Sequence, residues 1–316
     1  MTKTNRRVLL AALAVVGLGT ALLWLTGCEE EDVAAFFEAG NVQASETKTA
    51  VVPVEFPFSL EIDSSNGSVS VRGVEGVQTA TFAITKRSRG KTLDEAQDRL
   101  ERIVCHVNRA GDRLELLYRS GEQDDDVRRS SGVDFDVLVP IDTLVNAETS
   151  NGSIDVTAIR GAITLDTSNG DVAVLQGAGS LNAETSNGRI EVVGFGGDVR
   201  VDTSNGEVWI EQVAGLVDAE TSNGSIHYSG TPAEATSHRL RTSNGSITAR
   251  VPIDVSVRFD ARVSSGRIRS SLPLIGDTEG NEWSAELNPP TGTSLDLRTS
   301  NGSIRIDALP YPPSES

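Results

Sequence analysis

Five acidic residues recur at a constant interval of 18 residues in the middle of this 316-residue sequence: Glu148, Asp166, Glu184, Asp202 and Glu220. If each occupies the same position of successive strands, neighbouring carboxylates lie about 4.8 Å apart and repel each other by roughly 0.9 kcal/mol in water. A row of bound Ca²⁺ would relieve this repulsion, because Ca²⁺ binds several carboxylate oxygens at once. The sequence has neither an Asp-x-Asp-x-Asp-Gly loop nor a nonapeptide calcium repeat. We therefore favour a solvated acidic face over a calcium site.

The same carboxylates do not form the pair that glycan-cleaving enzymes require. Such chemistry needs two carboxyl groups whose environments separate their pKa values, whereas the five repeat positions are equivalent. The three histidines, His106, His227 and His238, do not fall into a catalytic or metal-binding motif. The sequence predicts no catalysis and no cofactor. A polysaccharide-active β-helix enzyme is the least favoured of three functional hypotheses.

One group of side chains departs from the regular pattern and predicts an interaction patch. Trp209 and His227 occupy the same outward position in successive repeats, Tyr228 follows directly, and the next repeat is three residues longer. Arg239 and Arg241 belong to this longer repeat. An exposed tryptophan beside histidine, tyrosine and arginine on a protruding loop is typical of a recognition surface. The alternative is a tryptophan that only covers the widened turn.

The elements that would position these residues follow from the recurring tetrapeptide Thr-Ser-Asn-Gly. Ser-Asn-Gly occurs eight times, and five of its asparagines are spaced by 18 residues. Asn-Gly between alternating apolar residues predicts a hairpin, but a hairpin does not require identical residues each time. In a parallel coil each residue lies over its counterpart in the preceding turn, so asparagine side chains can hydrogen-bond along a ladder. The predicted ladder is Asn151, Asn169, Asn187, Asn205, Asn223, Asn244 and Asn301.

The repeat therefore predicts an all-β protein, a single parallel β-solenoid (β-helix) with turns of about 18 residues. The alternative is an antiparallel β-meander. Two further expectations accompany the solenoid. Glycine would provide a positive φ at each corner. Successive turns would stack in chain order, with Asn301 two repeats beyond Ser265, since the two are 36 residues apart.

The sequence also predicts how the chain is divided. Residues 1–27 have a basic start and an apolar run and are typical of a secretory signal peptide. Residues 28–50, acidic and then Ser/Thr-rich, predict a flexible tether; residues 51–309 form the solenoid domain, and residues 310–316 a tail. Within the domain, residues 82–132 interrupt the coil after its first turn. They contain one predicted short helix, residues 92–103, and a strand pair, and predict a cap over the open end.

Cys28 follows Leu25-Thr26-Gly27, and this segment resembles the signal of a bacterial lipoprotein. The resemblance implies cleavage before Cys28 and lipidation of its thiol and amino group; the alternative is an uncleaved membrane anchor. Cleavage removes three basic residues and no acidic one, which changes the formal net charge from −17 to −20. This charge excludes nucleic acid as a partner, because the long-range interaction is repulsive. Attachment to the membrane is expected through the N-terminal lipid.

The stretch "TKRSRGKTLDEAQDRLERI", the strand "VDFDVLVP" and the tandem "TSNG" repeats resemble the bacterial putative-adhesin family, a β-strand-repeat domain of unknown function. The resemblance covers residues 51–308 and implies the solenoid architecture without catalytic residues. The main functional hypothesis is a lipid-anchored cell-envelope protein, facing the periplasm or the cell exterior, whose rigid repeat binds, adheres to or scaffolds an envelope protein or glycan. The alternative is a regulatory or stress-response accessory protein of the envelope that contacts a membrane partner.

Overall fold

The computed structural model describes residues 34–38, 41–289 and 292–309. The predicted signal peptide, Cys28 and the tail at residues 310–316 lie outside these residues. The first eight strands are β1 (Ala34–Glu38), β2 (Asn41–Pro53), β3 (Ser59–Asn66), β4 (Val69–Val74), β5 (Thr79–Gly90), β6 (His106–Ala110), β7 (Arg113–Tyr118) and β8 (Ser131–Pro140).

Longer and shorter strands then alternate through the repeat region. They are β9 (Leu144–Asn151), β10 (Ile154–Thr157), β11 (Ala162–Asn169), β12 (Val172–Leu175), β13 (Ala178–Asn187), β14 (Ile190–Val193), β15 (Gly196–Asn205), β16 (Val208–Glu211), β17 (Val217–Asn223), β18 (Ile226–Ser229), β19 (Ser237–Asn244) and β20 (Ile247–Val251). The last strands are β21 (Val257–Ser265), β22 (Ile268–Ser270), β23 (Ile275–Asp277), β24 (Glu282–Leu287), β25 (Ser294–Asn301) and β26 (Ile304–Ala308).

The strands form two 13-stranded sheets. Sheet A has the order β1-β2-β5-β8-β4-β10-β12-β14-β16-β18-β20-β26-β22, and sheet B has the order β23-β24-β21-β25-β19-β17-β15-β13-β11-β9-β3-β7-β6. One strand of sheet B and the strand of sheet A that follows it in the chain make a unit that we call a rung. Ten rungs stack with parallel pairing between neighbours. The parallel β-solenoid is confirmed, and the antiparallel meander is excluded.

The core lies between the two sheets and consists of apolar columns. Alternate residues point inward on both strands of a rung, as Ile163 and Leu165 do on β11 and Val172 and Val174 on β12, all at most 1% exposed. Each such side chain contributes roughly 1.5–3 kcal/mol by leaving water. The intervening residues point to solvent, so each sheet has one outer face whose columns are set by the repeat.

The threonine and glycine of the tetrapeptide act together across rungs. The hydroxyl of Thr185 is nearly buried and donates to the carbonyl oxygen of Gly170 in the preceding rung, at 3.0 Å. The same bond recurs at the other corners, for example from Thr203 to the carbonyl of Gly188 at 3.2 Å. Because the threonine hydroxyl satisfies a partly buried carbonyl, valine would not replace it without loss.

The expectation that glycine provides a positive φ at every corner is wrong. Among the described glycines that directly follow Asn66, Ser265 or an asparagine of the predicted ladder, only Gly67, Gly266 and Gly302 have φ in the left-handed region. At an interior corner such as Gly188, a Cβ atom would instead overlap with the carbonyl group of Gly170. The interior corners therefore need glycine because the preceding rung occupies the space of a side chain.

The asparagine side chains form a continuous ladder along the solenoid. Each side-chain amide donates to the Oδ1 atom of the asparagine one rung away, for example Asn187 to Asn169 at 3.0 Å and Asn205 to Asn187 at 3.0 Å. The series starts at Asn66, which accepts from Asn151, and ends at Asn301, which donates to Asn244 at 2.9 Å. The remaining bonds of the predicted ladder are those of Asn169, Asn223 and Asn244.

The order of rungs at both ends differs from the order in the chain. The rung of β25 and β26 lies between the rung of β19 and β20 and the rung of β21 and β22. Asn301 therefore stacks directly on Asn244, and Ser265 lies beyond it. Likewise, the rung of β3 and β4 lies inside the rung of β7 and β8. The expected stacking in chain order is wrong at both ends: the later pair β25 and β26 fills the penultimate position at the C-terminal end, and the later pair β7 and β8 takes the outermost rung at the N-terminal end.

The N-terminal cap is larger than expected. The predicted tether, residues 28–50, overlaps β2, which pairs with β5 along its length in antiparallel orientation, from Val42 to Pro53. This alternating segment has a partner because β5 would otherwise be an open edge of sheet A. The predicted helix is α1 (Leu93–Glu101), capped by Thr92. A second helix, α2 (Asp125–Ser130), and a 3₁₀ turn (Ser120–Glu122) occupy the charged segment before β8, so the cap holds more than one helix.

Candidate binding surface

The acidic row lies on the outer face of sheet B. The backbone register places Glu148, Asp166, Glu184, Asp202 and Glu220 opposite one another on β9, β11, β13, β15 and β17. None of these five carboxylates forms a salt bridge with a described residue, whereas most arginines on the outer face of sheet B do. Burial raises the pKa of Asp202, and the neighbouring carboxylates of Glu220 and Glu184 raise it further. Arg200 lowers the pKa of Asp202 only in part, so most of the repulsion along the row is not relieved by the protein's own cations.

Arginines continue the same column toward the C-terminal rungs. Arg241 lies opposite Glu220, and Arg298 and Arg262 follow on the next two strands. Arg241 and Arg298 both bond to Asp296, at 2.8 and 2.7 Å. Burial alone would raise the pKa of Asp296, but these hydrogen bonds outweigh it and lower the pKa. The outer face of sheet B thus has a repulsive acidic half and a paired half.

We expect Asp202→Asn to raise the free energy of unfolding by about 1 kcal/mol at pH 7 and low salt, since it removes repulsion from two neighbours. The folded-state pKa of Asp202 is raised, so the ionised group destabilises the fold at neutral pH; the gain should vanish below the ordinary aspartate pKa of about 4. Urea unfolding of wild type and variant across this pH range measures it.

Asp296→Asn is the control with the opposite sign. The folded-state pKa of Asp296 is lowered, so its ionised form stabilises the fold above the ordinary pKa and loses this contribution as the pH falls through the folded value. A loss of about 1–2 kcal/mol at pH 7 is expected. Equal losses in both variants would contradict a repulsive row, and a loss for Asp202→Asn only with Ca²⁺ present would support the calcium hypothesis.

The geometry gives the calcium hypothesis no support. Within residues 34–38, 41–289 and 292–309, no group of three or more His, Cys, Asp or Glu side chains is placed to hold a metal ion. Each carboxylate of the row has one neighbour above and one below it, so it does not converge with two others on one point. A solvated acidic face fits this arrangement better.

The outer face of sheet A carries the aromatic part of the predicted patch. Trp209 on β16 and His227 on β18 are in register, with their ring centroids 4.5 Å apart and their planes tilted by 33°. The indole nitrogen of Trp209 donates to Glu211 at 2.8 Å, which fixes the ring. Both rings are half-buried. Burial lowers the pKa of His227, so the imidazole is neutral at pH 7.

The other three members of the predicted patch lie elsewhere. Tyr228 points into the core, where it is 2% exposed, because it follows His227 by one residue on a strand. Arg239 and Arg241 lie on the outer face of sheet B and pair with Asp218 and Asp296. The five residues therefore do not form one surface, and only the Trp209–His227 pair remains of the patch.

The longer repeat has a structural role instead. His238 is buried, and its Nδ1 atom accepts from the backbone N–H of Val217 at 3.1 Å, while Nε2 bonds to the hydroxyl of Thr236 at 2.7 Å. Burial lowers the pKa of His238. The imidazole thus satisfies a backbone group at the point where the wider turn interrupts the regular register.

Sequence reasoning missed four arginines on the outer face of sheet A. They are Arg250 on β20, Arg305 on β26, and Arg267 and Arg269 at β22. Register places Arg305 and Arg269 side by side, although 36 residues separate them in sequence. Alignment in chain order could not find this group, since it puts β22 before β26.

The chain was compared with known proteins. A family model described as Toastrack DUF4097 matches residues 25–307. The chain belongs to the Toastrack DUF4097 family. This match covers most of the chain, and it agrees with the predicted resemblance to a bacterial family of β-strand repeats with unknown function. A search of curated proteins found no match to this Toastrack protein.

Three solved bacterial structures are similar to this Toastrack chain. One is a "putative cell adhesion protein" from Clostridium sporogenes, 12% identical, with a TM-score of 0.28, covering 83% of this chain and 100% of that one. A "putative adhesin" from Bacteroides fragilis is 13% identical, with a TM-score of 0.43, and covers 83% and 97%. A "putative lipid binding protein" from Parabacteroides distasonis is 13% identical, with a TM-score of 0.36, and covers 84% and 97%.

The surface of the Toastrack chain is shallow where the structure describes it. Two depressions of about 210 and 240 Å³ are lined by residues around Arg262 and Asp296 and by residues around Phe56 and Pro140. Both are smaller than a typical small-molecule site, and neither includes the Trp209–His227 pair. No helix in the described part of the chain is long and apolar enough to cross a membrane.

Proposed function

We propose that this Toastrack protein is a non-catalytic binding protein of the bacterial cell envelope, anchored by lipid at Cys28, that adheres to a carbohydrate through the outer face of sheet A. The observation that carries this proposal is the Trp209–His227 pair, held side by side on a flat β-face. The lipoprotein-like segment that ends at Cys28 supports the anchoring.

The chemistry of the pair suits a sugar. A sugar ring has an apolar C–H face and a rim of hydroxyl groups, so an aromatic face can pack on the first while polar side chains bond to the second. Arg189 and Glu207, which form a salt bridge at 3.3 Å, directly precede β14 and β16 and provide donors and acceptors beside the pair. A flat surface without a deep pocket favours a polymer over a small molecule.

The repeat architecture supports binding over catalysis. The equivalent carboxylates of sheet B share one kind of environment, and burial raises the pKa of Asp166 as it does that of Asp202. General acid and base roles need two carboxyl groups with opposite shifts that face one substrate. Asp296 has a lowered pKa, but it is bonded to two arginines and lies in the last rungs.

The test is glycan binding by the full-length protein in detergent. We expect binding to at least one class of bacterial surface glycan, and we expect Trp209→Ala to weaken it by at least about tenfold, since stacking by one aromatic ring is worth roughly 1–3 kcal/mol. Asn182→Ala, on the outer face of sheet B, should leave the affinity unchanged.

Three results would contradict the proposal. Binding that Trp209→Ala leaves intact would place the site elsewhere. Cleavage of a bound glycan would make the protein an enzyme. Absence of glycan binding, together with specific co-purification of a membrane protein, would favour the regulatory alternative.

A further inference from the structure

The outer face of sheet A changes in character along the solenoid axis. One outward column runs through successive rungs from acidic and small residues to the aromatic pair and then to arginines. Its members are Asp155, Ala173, Glu191, Trp209, His227, Thr248, Arg305 and Arg269. The aromatic pair and the arginines therefore belong to one straight row.

Two more arginines flank the end of this row. Arg250 lies on β20, on the outer face of sheet A, and Arg267 directly precedes β22. We call Arg250, Arg267, Arg269 and Arg305 the arginine group. The one acidic side chain that the register places among them is Asp307, whose carboxylate is 4.0 Å from Arg305.

The arginine group is unusual for this chain. Residues 141–236 contain fourteen Asp and Glu against three Arg, whereas residues 237–309 contain eight acidic residues against nine Arg. Among the described residues, Arg250, Arg267 and Arg269 form no salt bridge, although most arginines of the solenoid do. In a protein with a large acidic excess, these guanidinium groups are left available on one face.

We infer that the carbohydrate bound at Trp209–His227 is a carboxylate-bearing polysaccharide, which lies along the solenoid axis with its acidic groups on the arginine group. This inference rests on the proposed function and names its ligand class. Guanidinium groups bind carboxylates with two parallel hydrogen bonds, and they do so selectively over neutral hydroxyls. The aromatic pair packs on the sugar rings, and the arginines bind the carboxylates.

The dimensions require an extended ligand. From the rung of Trp209 to that of Arg269 there are four strand steps, or about 19 Å at the spacing of neighbouring strands. A single sugar cannot contact both ends, whereas a linear chain of several sugars can. The ligand contacts one column, so it need not approach the acidic part of the face.

An anionic membrane is a poorer fit to the same surface. A bilayer lying flat on the outer face of sheet A would also meet Asp155, Asp171 and Glu191, which repel it. A bilayer at the end of the solenoid would meet Arg267 and Arg269 but not the aromatic pair. A linear polysaccharide can contact both the aromatic pair and the arginine group without contacting these acidic residues.

The experiment measures binding of two hexasaccharides to the full-length protein in zwitterionic detergent. The probes are a hexamer of galacturonate, with one carboxylate on each sugar, and a neutral hexamer of galactose. We expect the acidic hexamer to bind at least about tenfold more tightly, and its affinity to fall with increasing salt. Arg269→Gln and Arg305→Gln should each weaken the acidic hexamer by about tenfold and leave the neutral one unchanged.

Arg72→Gln is the matched control. Arg72 is an exposed arginine on the outer face of sheet A, on β4 near the other end of the solenoid. Its loss should change neither affinity. Equal weakening by Arg72→Gln and Arg269→Gln would indicate a general charge effect and overturn the inference.

The remaining outcomes separate the inference from the proposed function. Equal binding of both hexamers, lost in Trp209→Ala but kept in the arginine variants, would overturn the inference and leave the proposed function intact. Absence of binding to either hexamer and to any other glycan would overturn both. In a third arm, the full chain with Cys28→Ser is mixed with phosphatidylglycerol vesicles; arginine-dependent binding that does not need Trp209 would replace the polysaccharide with a membrane.

Discussion

Gly188→Ala is expected to lower the free energy of unfolding by about 4 kcal/mol or more, one of the two largest effects that the structure predicts. The new methyl group would overlap with the carbonyl of Gly170, which belongs to the backbone of the preceding rung. That carbonyl also accepts a hydrogen bond from the hydroxyl of Thr185, so it cannot move without breaking this partly buried hydrogen bond. The rung must separate from its neighbour, and the parallel bonds on both sides weaken.

Gly196→Ala is the control for this change. Gly196 lies in the next rung and is exposed, its φ is not positive, and an added Cβ would have its nearest neighbour, the Cβ of Ala178, at 3.4 Å. This is an ordinary contact, so the change should cost less than about 1 kcal/mol. Urea unfolding followed by far-ultraviolet circular dichroism measures both variants. Similar stabilities would show that the corner glycine is not required by close approach of the backbone.

Removal of residues 292–316 is expected to destroy cooperative folding of the C-terminal rungs. The deletion removes β25 and β26, which form an internal rung, so β19 and β21 lose their common neighbour. The bonds that connect the rungs also disappear, including those from the backbone of Gly245 to Asn301 and from Gly302 to Ser265, at 3.0 Å each. The remaining strands β21 to β24 then have no parallel partner to pair with.

The matched control ends the chain after Leu309. This shorter deletion keeps β26, and the backbone bond from Leu309 to Val251 at 2.8 Å is retained. Its thermal unfolding should match that of the full chain. Hydrogen exchange provides the second measurement: the longer deletion should expose amides of β19 to β24 while β9 to β15 stay protected. Loss of protection only in β21 to β24 would instead indicate that the rung of β25 and β26 lies at the end of the stack and not between two other rungs.

The solenoid itself could be predicted because its repeat is exact where the strands stack in chain order. From Asn151 to Asn223, identical residues lie one rung apart, so sequence spacing and spatial order agree. The inward columns and the acidic row follow from the same register. The ladder then needs no information beyond the recurrence of Thr-Ser-Asn-Gly.

The ends could not be predicted, because pairing there is non-local. Nothing in the spacing of Ser265 and Asn301 shows that the later strand pair, β25 and β26, occupies the position next to β19 and β20. Either order of the two rungs preserves the alternation of apolar and polar residues. The arginine group depends on this order. The inward position of Tyr228 could have been found from strand alternation alone. It is one residue beyond the outward His227 and aligns with the inward Ile210 of the preceding repeat.

The corner glycines illustrate a different limit. The sequence shows that glycine is invariant within the repeats, and both positive φ and lack of space require glycine. Only coordinates separate the two causes. At Gly67 φ is +144° and an added Cβ would also overlap with the carbonyl group of Val133, whereas at Gly188 φ is not positive and the neighbouring backbone alone requires glycine. The same letter in the same motif thus has two physical reasons in one chain.

The order of the rungs at the two ends determines where the solenoid can change its length. At each end, the chain passes between the outermost rung and the rung beneath it by way of antiparallel strands that pair with the outermost rung. At the C-terminal end, β24 pairs with β21 and precedes β25 in the chain. At the N-terminal end, β5 follows β4 in the chain and pairs with β8, and β6 pairs with β7. A duplicated unit appended to either terminus of the chain would therefore have no rung to extend. Insertion of whole 18-residue units between β9 and β18, by contrast, preserves every pairing and lengthens the molecule by about 4.8 Å per unit. Homologues of different length should accordingly differ in the number of central units and should retain the arrangement of strands at both ends.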